Sequence, residues 1–412
     1  MASHAILLLR LLLSHFAMAT ESLLLGNVEV RTPLAQIRVL VFPHIGHYVR
    51  PHGREAQIDE VHLRTAGGNP GKFCRGYLLS GSTPEWERSE VHLTFSALQD
   101  PLRIECDGPT EVLRGPGLGV RSYLGSLYAR REWTSDGLPY VQLVHQTGFE
   151  DYLKGVVPAE VPATWHAEAL KAQAVAARSY AYFQAQRVRR YEPRKNYDVD
   201  DTILYQAYLG HSGRAAATDE AVNVTRGELL TYQNRVVKAY FHADSGGHTE
   251  SAENVWTGDA GKVPYCQGKA EAYDPALYDS RWASERSLLD LDGALKEQGI
   301  LTSQQWLSRL EIPPLYFPSG RPRSVVATLD AGRSLRIPAE RFRFAAALRS
   351  TWFEIIPLST SAFRLNGLGY GHGVGMSQWG AQLSARTLGW NYEQILRFYY
   401  SGAEIGTRLP LR

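Results

Sequence analysis

Apolar and polar positions alternate in short runs over the first third of the chain, and then a long stretch breaks that period. Ile37-Arg38-Val39-Leu40-Val41-Phe42 and Glu90-Val91-His92-Leu93-Thr94-Phe95 carry β-branched and aromatic residues with partial alternation. Tyr140-Val141-Gln142-Leu143-Val144 continues the pattern, and glycine-rich breakers at 67–71 and 115–117 punctuate it. Residues 20–145 are therefore expected to be a β-rich region. From 163 to 191 glycine and proline are absent and alanine is frequent, which predicts a long helix that neighbours approach closely. Strand patterns return at 228–232 and 236–241, a short helix is predicted near 288–298, and two more near 377–386 and 392–400. The order is mixed and shows no internal repeat, so the expected fold is α+β, a central Ala-rich helix packed against strands, rather than a regular βαβ wind. The expected core is 146–400, with 260–350 as a candidate inserted lobe and 401–412 as a tail.

Composition narrows the classes. The 412 residues are 44% hydrophobic and 21% charged, ordinary for a globular protein. A formal charge of +2 gives no strong basic field, so no nucleic-acid partner is expected. The 22 Tyr and 9 Trp suit sugar rings, although core packing accounts for most of them. Three widely spaced cysteines, Cys74, Cys106 and Cys266, exclude a dense disulfide scaffold and any CxxC metal motif, and leave room for one bridge of undetermined pairing. The first 19 residues hold an apolar run closing on Ala17-Met18-Ala19, the pattern of a secretory signal cleaved before Thr20. The run is short and interrupted by Arg10, so no membrane span is expected once it is removed. The mature chain is then extracytoplasmic: secreted, periplasmic or bound to the cell wall.

Three blocks carry chemistry. In the first, Glu160 lies in Gly155-Val156-Val157-Pro158-Ala159-Glu160-Val161-Pro162, where two prolines stiffen the backbone around a carboxylate expected at the mouth of the long helix. Behind it, Lys171 and Arg178 are seven residues apart, within about 20° on one helical face. Two stacked cations can bind a ligand's carboxylates or hold Glu160; equally, Lys171 can pair with Glu168 at the surface. The second block, 240–250, runs from Tyr240 and His242 into Asp244-Ser245-Gly246-Gly247, a turn able to present backbone amides. A serine-hydrolase reading of Ser245 lacks the G-x-S-x-G elbow. The third block, 367–382, sets His372 among alternating glycines. It satisfies neither G-x-G-x-x-G nor a P-loop, so a nucleotide cofactor is not expected.

Together these blocks resemble the SpoIID/LytB family of cell-wall proteins, first known from sporulating bacteria. The resemblance rests on the stretches 151–162, 169–180, 242–247 with Glu253-Asn254-Val255-Trp256, and 369–381, in the family's order. It implies a lytic transglycosylase that cuts the MurNAc–GlcNAc bond of peptidoglycan strands stripped of stem peptides. The family's catalytic glutamate falls on Glu160, and its helix lysine and arginine on Lys171 and Arg178. Tyr240, His242, Ser245 and His372 match further motif positions and are carried as substrate-binding residues. Some members bind zinc through cysteines and a histidine after the long helix. Here 198–208 has neither, with Asp200 and Tyr205 where those members place cysteines, so neither metal nor other cofactor is expected. Some relatives enhance autolysins, which leaves a non-catalytic glycan binder, working beside a cell-wall amidase, as the rival.

Overall fold

The computed structural model describes residues 35–42, 60–65, 72–78, 84–98, 101–113, 119–133, 137, 139–202, 205–258, 261–330 and 332–406. The expected signal at 1–19 lies outside these residues, as does 407–412 of the expected tail. Helices and strands mix without a regular wind, the α+β class expected. Two compact units divide the described residues, one from 35 to 238 with 405–406 and the other from 239 to 404. The β-rich region and the helices behind Glu160 thus share a unit.

In the first unit a seven-stranded sheet runs in the order Val199–Asp200, Gln36–Phe42, Pro139–Gly148, Ser126–Trp133, Leu102–Cys106, Cys74–Leu78 and Trp86–Arg88. A disulfide between Cys74 and Cys106 ties two of these neighbours, which resolves the pairing and leaves Cys266 as a buried thiol. Ile37, Val39 and Val41 are fully buried at alternate positions, as the period predicted. Strand Pro139–Gly148 runs directly into α1 (Phe149–Glu160), which is followed by α2 (Ala167–Tyr191) and α3 (Ala216–Val224). Helix α2 buries Ala169, Ala172, Ala174, Ala176, Ala177, Ala181 and Ala185, and the small side chains admit the close neighbours expected.

In the second unit the strand Phe241–His242 pairs in parallel with Met376–Ser377. Two three-stranded antiparallel sheets share one apolar cluster from Trp282 to Leu365 that includes Phe342, Phe353 and Phe363. The helices here are α4 (Ala252–Val255), α5 (Leu288–Glu297), α6 (Ala339–Ala345), α7 (Gln378–Leu388) and α8 (Tyr392–Tyr399). Three start on the side-chain caps their sequences offer: Ser287 with Asp290 at α5, Ser377 at α7, Asn391 with Gln394 at α8.

Candidate functional site

Glu160 is the last residue of α1, not the entry of α2. The helix carries Pro158 inside its final turn and ends at Val161, whose N–H still bonds the Val157 carbonyl. A carboxylate here meets the negative end of the macrodipole, the opposite of the helix-entry position expected. Its local partner is a backbone amide, since Ala207 N–H donates to Glu160 Oε1 at 2.7 Å. The side chain is half-buried.

The segment that supplies this amide is pinned on both sides. Gln206 is fully buried, accepts from the Tyr152 hydroxyl at 3.2 Å and donates to the Ala177 carbonyl at 3.1 Å, so it links α1 with α2. Leu209 N–H bonds the Gly155 carbonyl, and the Tyr208 ring packs so near Gly155 that a Cβ there would stand 2.5 Å from it. Glycine at 155 is what lets the Tyr208 ring come this close. The hydroxyls of Tyr152 and Tyr180 are held un-ionised by burial, with Glu160 among the negative charges acting in the same direction. Asp200 is buried too, and desolvation lifts its carboxyl to about 6 while Thr202 donates to it through N–H and hydroxyl. Among the described residues no group of three or more His, Cys, Asp and Glu could hold a metal ion.

The two helix cations part company. Lys171 is half-buried and pairs with Glu168 at 2.6 Å, the surface pairing weighed above. Arg178 is 2% exposed and grips Glu150 with Nε at 3.0 Å and Nη2 at 2.8 Å. Its remaining donors reach the Glu228 and Val222 carbonyls. Glu150 opens α1 and Glu160 closes it, about 15 Å apart along the helix axis. Arg178 therefore joins three helices at the far end of α1 and presents no donor to a ligand beside Glu160.

Tyr240, His242, Ser245 and His372 lie in the second unit. His242 and His372 have ring centroids 5.4 Å apart, and the backbone of one residue holds both. The Val374 carbonyl lies 3.1 Å from His242 Nδ1, and the Val374 N–H donates to His372 Nδ1 at 3.0 Å. These partners assign the Nδ1–H tautomer to His242 and leave His372 with its proton on Nε2. Burial and the nearby Arg321 guanidinium push His242 down to about 3, and enclosure together with His242 holds His372 well below the usual imidazole value. Both rings are neutral at physiological pH. Trp256 completes the cluster, 4.5 Å from Tyr240 and 4.9 Å from His372. Trp256 falls within the 253–256 stretch of the family resemblance and outside the expected site residues. A half-exposed indole backed by two rings is a signal only packing reveals.

Ser245 is fully buried, and its hydroxyl donates to Glu271 at 2.5 Å while accepting the Gly247 N–H at 3.2 Å. Tyr399 donates to the other Glu271 oxygen at 2.6 Å. Desolvation raises the Glu271 carboxyl to about 7. Arg321, also buried, donates to the Ser245 and His248 carbonyls at 2.7 and 2.8 Å and fills the space over Gly373. Ser245 thus holds the turn in shape from within.

By its similarity to known proteins the chain belongs to the SpoIID family. Residues 139–232 match the sequence profile of the family described as Stage II sporulation protein. Stage II sporulation protein D of Bacillus subtilis is 30% identical over 284 residues, 64% of this chain and 76% of its own length. An uncharacterized protein of Brachyspira hyodysenteriae is 37% identical over 266 residues, 64% of this chain and 68% of its own. The Amidase enhancer of Bacillus subtilis is 30% identical over 299 residues, of which this chain spans only 40% of the relative's length.

Proposed function

We propose that the protein is a peptidoglycan lytic transglycosylase with Glu160 as its acid and base. The supporting observation is a half-buried carboxylate that accepts the Ala207 backbone N–H at 2.7 Å. A glycosidase that uses water normally needs two carboxylates, one as acid and one to activate water or attack carbon. Intramolecular attack needs only one. Protonated Glu160 gives its proton to the oxygen linking MurNAc C1 to GlcNAc, the C1–O bond breaks, and GlcNAc leaves with a free hydroxyl. The resulting carboxylate takes the proton of the MurNAc C6 hydroxyl, whose oxygen closes on C1 to give the 1,6-anhydro end. Glu160 is left protonated for the next cycle.

In this reading the half-exposed Trp256 and His372, backed by the buried Tyr240 and His242, offer a neutral aromatic surface for a sugar ring, and Lys171 offers a cation. Arg178 holds the three helices of the first unit together, and Ser245 holds the turn of the second unit in shape. Substrate strands are those already freed of stem peptides by an amidase, which places the protein outside the cytoplasm. Among the described residues no helix is long and apolar enough to cross a membrane. The likeness to an Amidase enhancer favours one rival, a glycan binder that assists an amidase without cutting. Mass spectrometry of amidase-stripped strands separates the two. Wild type should generate anhydroMurNAc ends and Glu160→Gln should lose at least a thousandfold in rate; equal yields from both proteins would sink the catalytic reading.

A further inference from the structure

A second aromatic pair in the second unit has no part in the reading above. Tyr278 and Trp379 stack with centroids 4.1 Å apart at 24°, and both are half-buried. The Trp379 side chain also hydrogen-bonds Tyr278, and its backbone N–H bonds the Ala243 carbonyl, between His242 and Asp244. Tyr370, 49% exposed, exchanges backbone hydrogen bonds with Asp244 at 2.8 and 2.9 Å. A rigid, half-open stack beside an exposed tyrosine suits the face of a pyranose ring.

Arg349 stands by this stack. Its charge acts on the Tyr278 hydroxyl, and its carbonyl accepts the N–H of Gly371, one residue before His372. The backbone there is fixed, because the Ser350 hydroxyl accepts from Trp282 Nε1 at 3.1 Å and donates to the Leu368 carbonyl at 2.5 Å. The Arg349 side chain is nonetheless exposed, and among the described residues its guanidinium has no hydrogen-bond or ion-pair partner. The neighbouring acids are otherwise engaged: Asp279 pairs with Arg281 at 2.7 Å, and Asp244 accepts the Gly246 N–H at 2.9 Å. A rigid backbone that presents one unmatched cation next to a ring platform is suited to a sugar carrying a carboxylate.

We propose that Arg349, with the Tyr278–Trp379 stack, binds the free lactyl carboxylate of a muramic acid residue and so selects glycan from which the stem peptide has been removed. This rests on the glycan reading but not on cleavage. When the stem peptide is attached, the lactyl carbonyl is a neutral amide. Amidase action exposes a negative charge at that position, and only then does the guanidinium find a partner. The preference for stripped strands becomes a matter of one charge.

The test measures binding by calorimetry in low salt, with Glu160→Gln as parent so that no strand is cut. Its two probes are amidase-stripped glycan strands and the same strands with the lactyl carboxyl converted to the neutral methylamide. The parent should prefer the carboxylate strands by about fivefold, the upper range for a solvent-exposed ion pair. Adding Arg349→Gln should abolish the preference by weakening only the carboxylate strands, Arg349→Lys should keep part of it, and Trp379→Ala should weaken both probes. A parent without preference, or Arg349→Gln that keeps it in full, overturns the proposal and leaves the glycan reading standing. A parent that binds neither probe overturns both. Loss of cleavage alone would appear only in the anhydroMurNAc assay.

Discussion

The Arg178 guanidinium shows how much a single residue's position can change its reading. On a helical wheel it stacks over Lys171; in the fold it faces Glu150 and two carbonyls with almost no water contact. An ion pair this enclosed costs desolvation on both sides, so removing one partner leaves an uncompensated charge worth about 3–5 kcal/mol. Glu150→Gln should therefore lower the unfolding free energy by that order, read as a shift in the urea midpoint. Glu150→Leu combined with Arg178→Met should recover most of it. If the double variant is as unstable as the single, the pair is not what holds the three helices. Periodicity ranked Lys171 and Arg178 as equals because it reports only which face a residue occupies. What covers that face at each height depends on strands and helices remote in sequence, here the Val222–Glu228 turn.

At the scale of elements, α2 and its C-terminal end were legible, its start at Ala167 lay four residues past the expected one, and α1 was not legible. Alanine-rich, Gly- and Pro-free sequence marks α2, and His166 accepts the Glu168 N–H at its start. Helix α1 holds Gly155, Val156, Val157 and Pro158, all poor helix formers, and reads locally as a strand followed by a turn. Packing overrides propensity, because Phe149, Tyr152, Leu153 and Val156 fall on one buried side. The caps of α5, α7 and α8 are local transactions between neighbouring residues. The segment 205–210 carried no such signal, yet it supplies the amide that meets Glu160. Gly155→Ala tests that coupling. Its Cβ would meet the Tyr208 ring at 2.5 Å and the Gly210 carbonyl at 2.7 Å, so the segment must shift. The expected cost is about 1–3 kcal/mol of stability, with a fall in kcat larger than any rise in KM. Unchanged kcat in a folded Gly155→Ala protein would show that the Ala207 amide does not set the Glu160 geometry.

For the molecule as a whole, stability against pH is shaped by buried groups that pull in opposite directions. Glu271 titrates near 7 in the folded protein and near 4.5 when unfolded, so it contributes stability below about 4.5 that is lost as pH rises through 7. Asp200, lifted to about 6, acts in the same direction. His242, pushed to about 3 from 6.5, contributes stability above 6.5 that is lost as pH falls toward 3. His145, buried and lowered to about 4, adds to that acid loss. Over the middle range the two sets oppose each other and the profile should be broad. Replacing Glu271 with Gln removes the stability loss on the alkaline side. Urea unfolding at pH 4.5, 6 and 8 should show the variant gaining on wild type as pH rises, by up to about 3 kcal/mol. A constant difference at all three values would show that Glu271 does not carry a shifted proton.

Val374 stands between the two imidazoles and meets one with each of its backbone groups. The Val374 carbonyl fixes one ring and its N–H the other, so both tautomers are set by the backbone of one residue. The rings are a matched left and right hand. In nitrogen NMR they should show two different static patterns, with the lone pair on Nε2 of His242 and on Nδ1 of His372. Adding acid should erase both patterns in one step. A proton arriving at His372 Nδ1 would confront the Val374 N–H, and a turn of the Val374 backbone away from it would also move the carbonyl that holds His242.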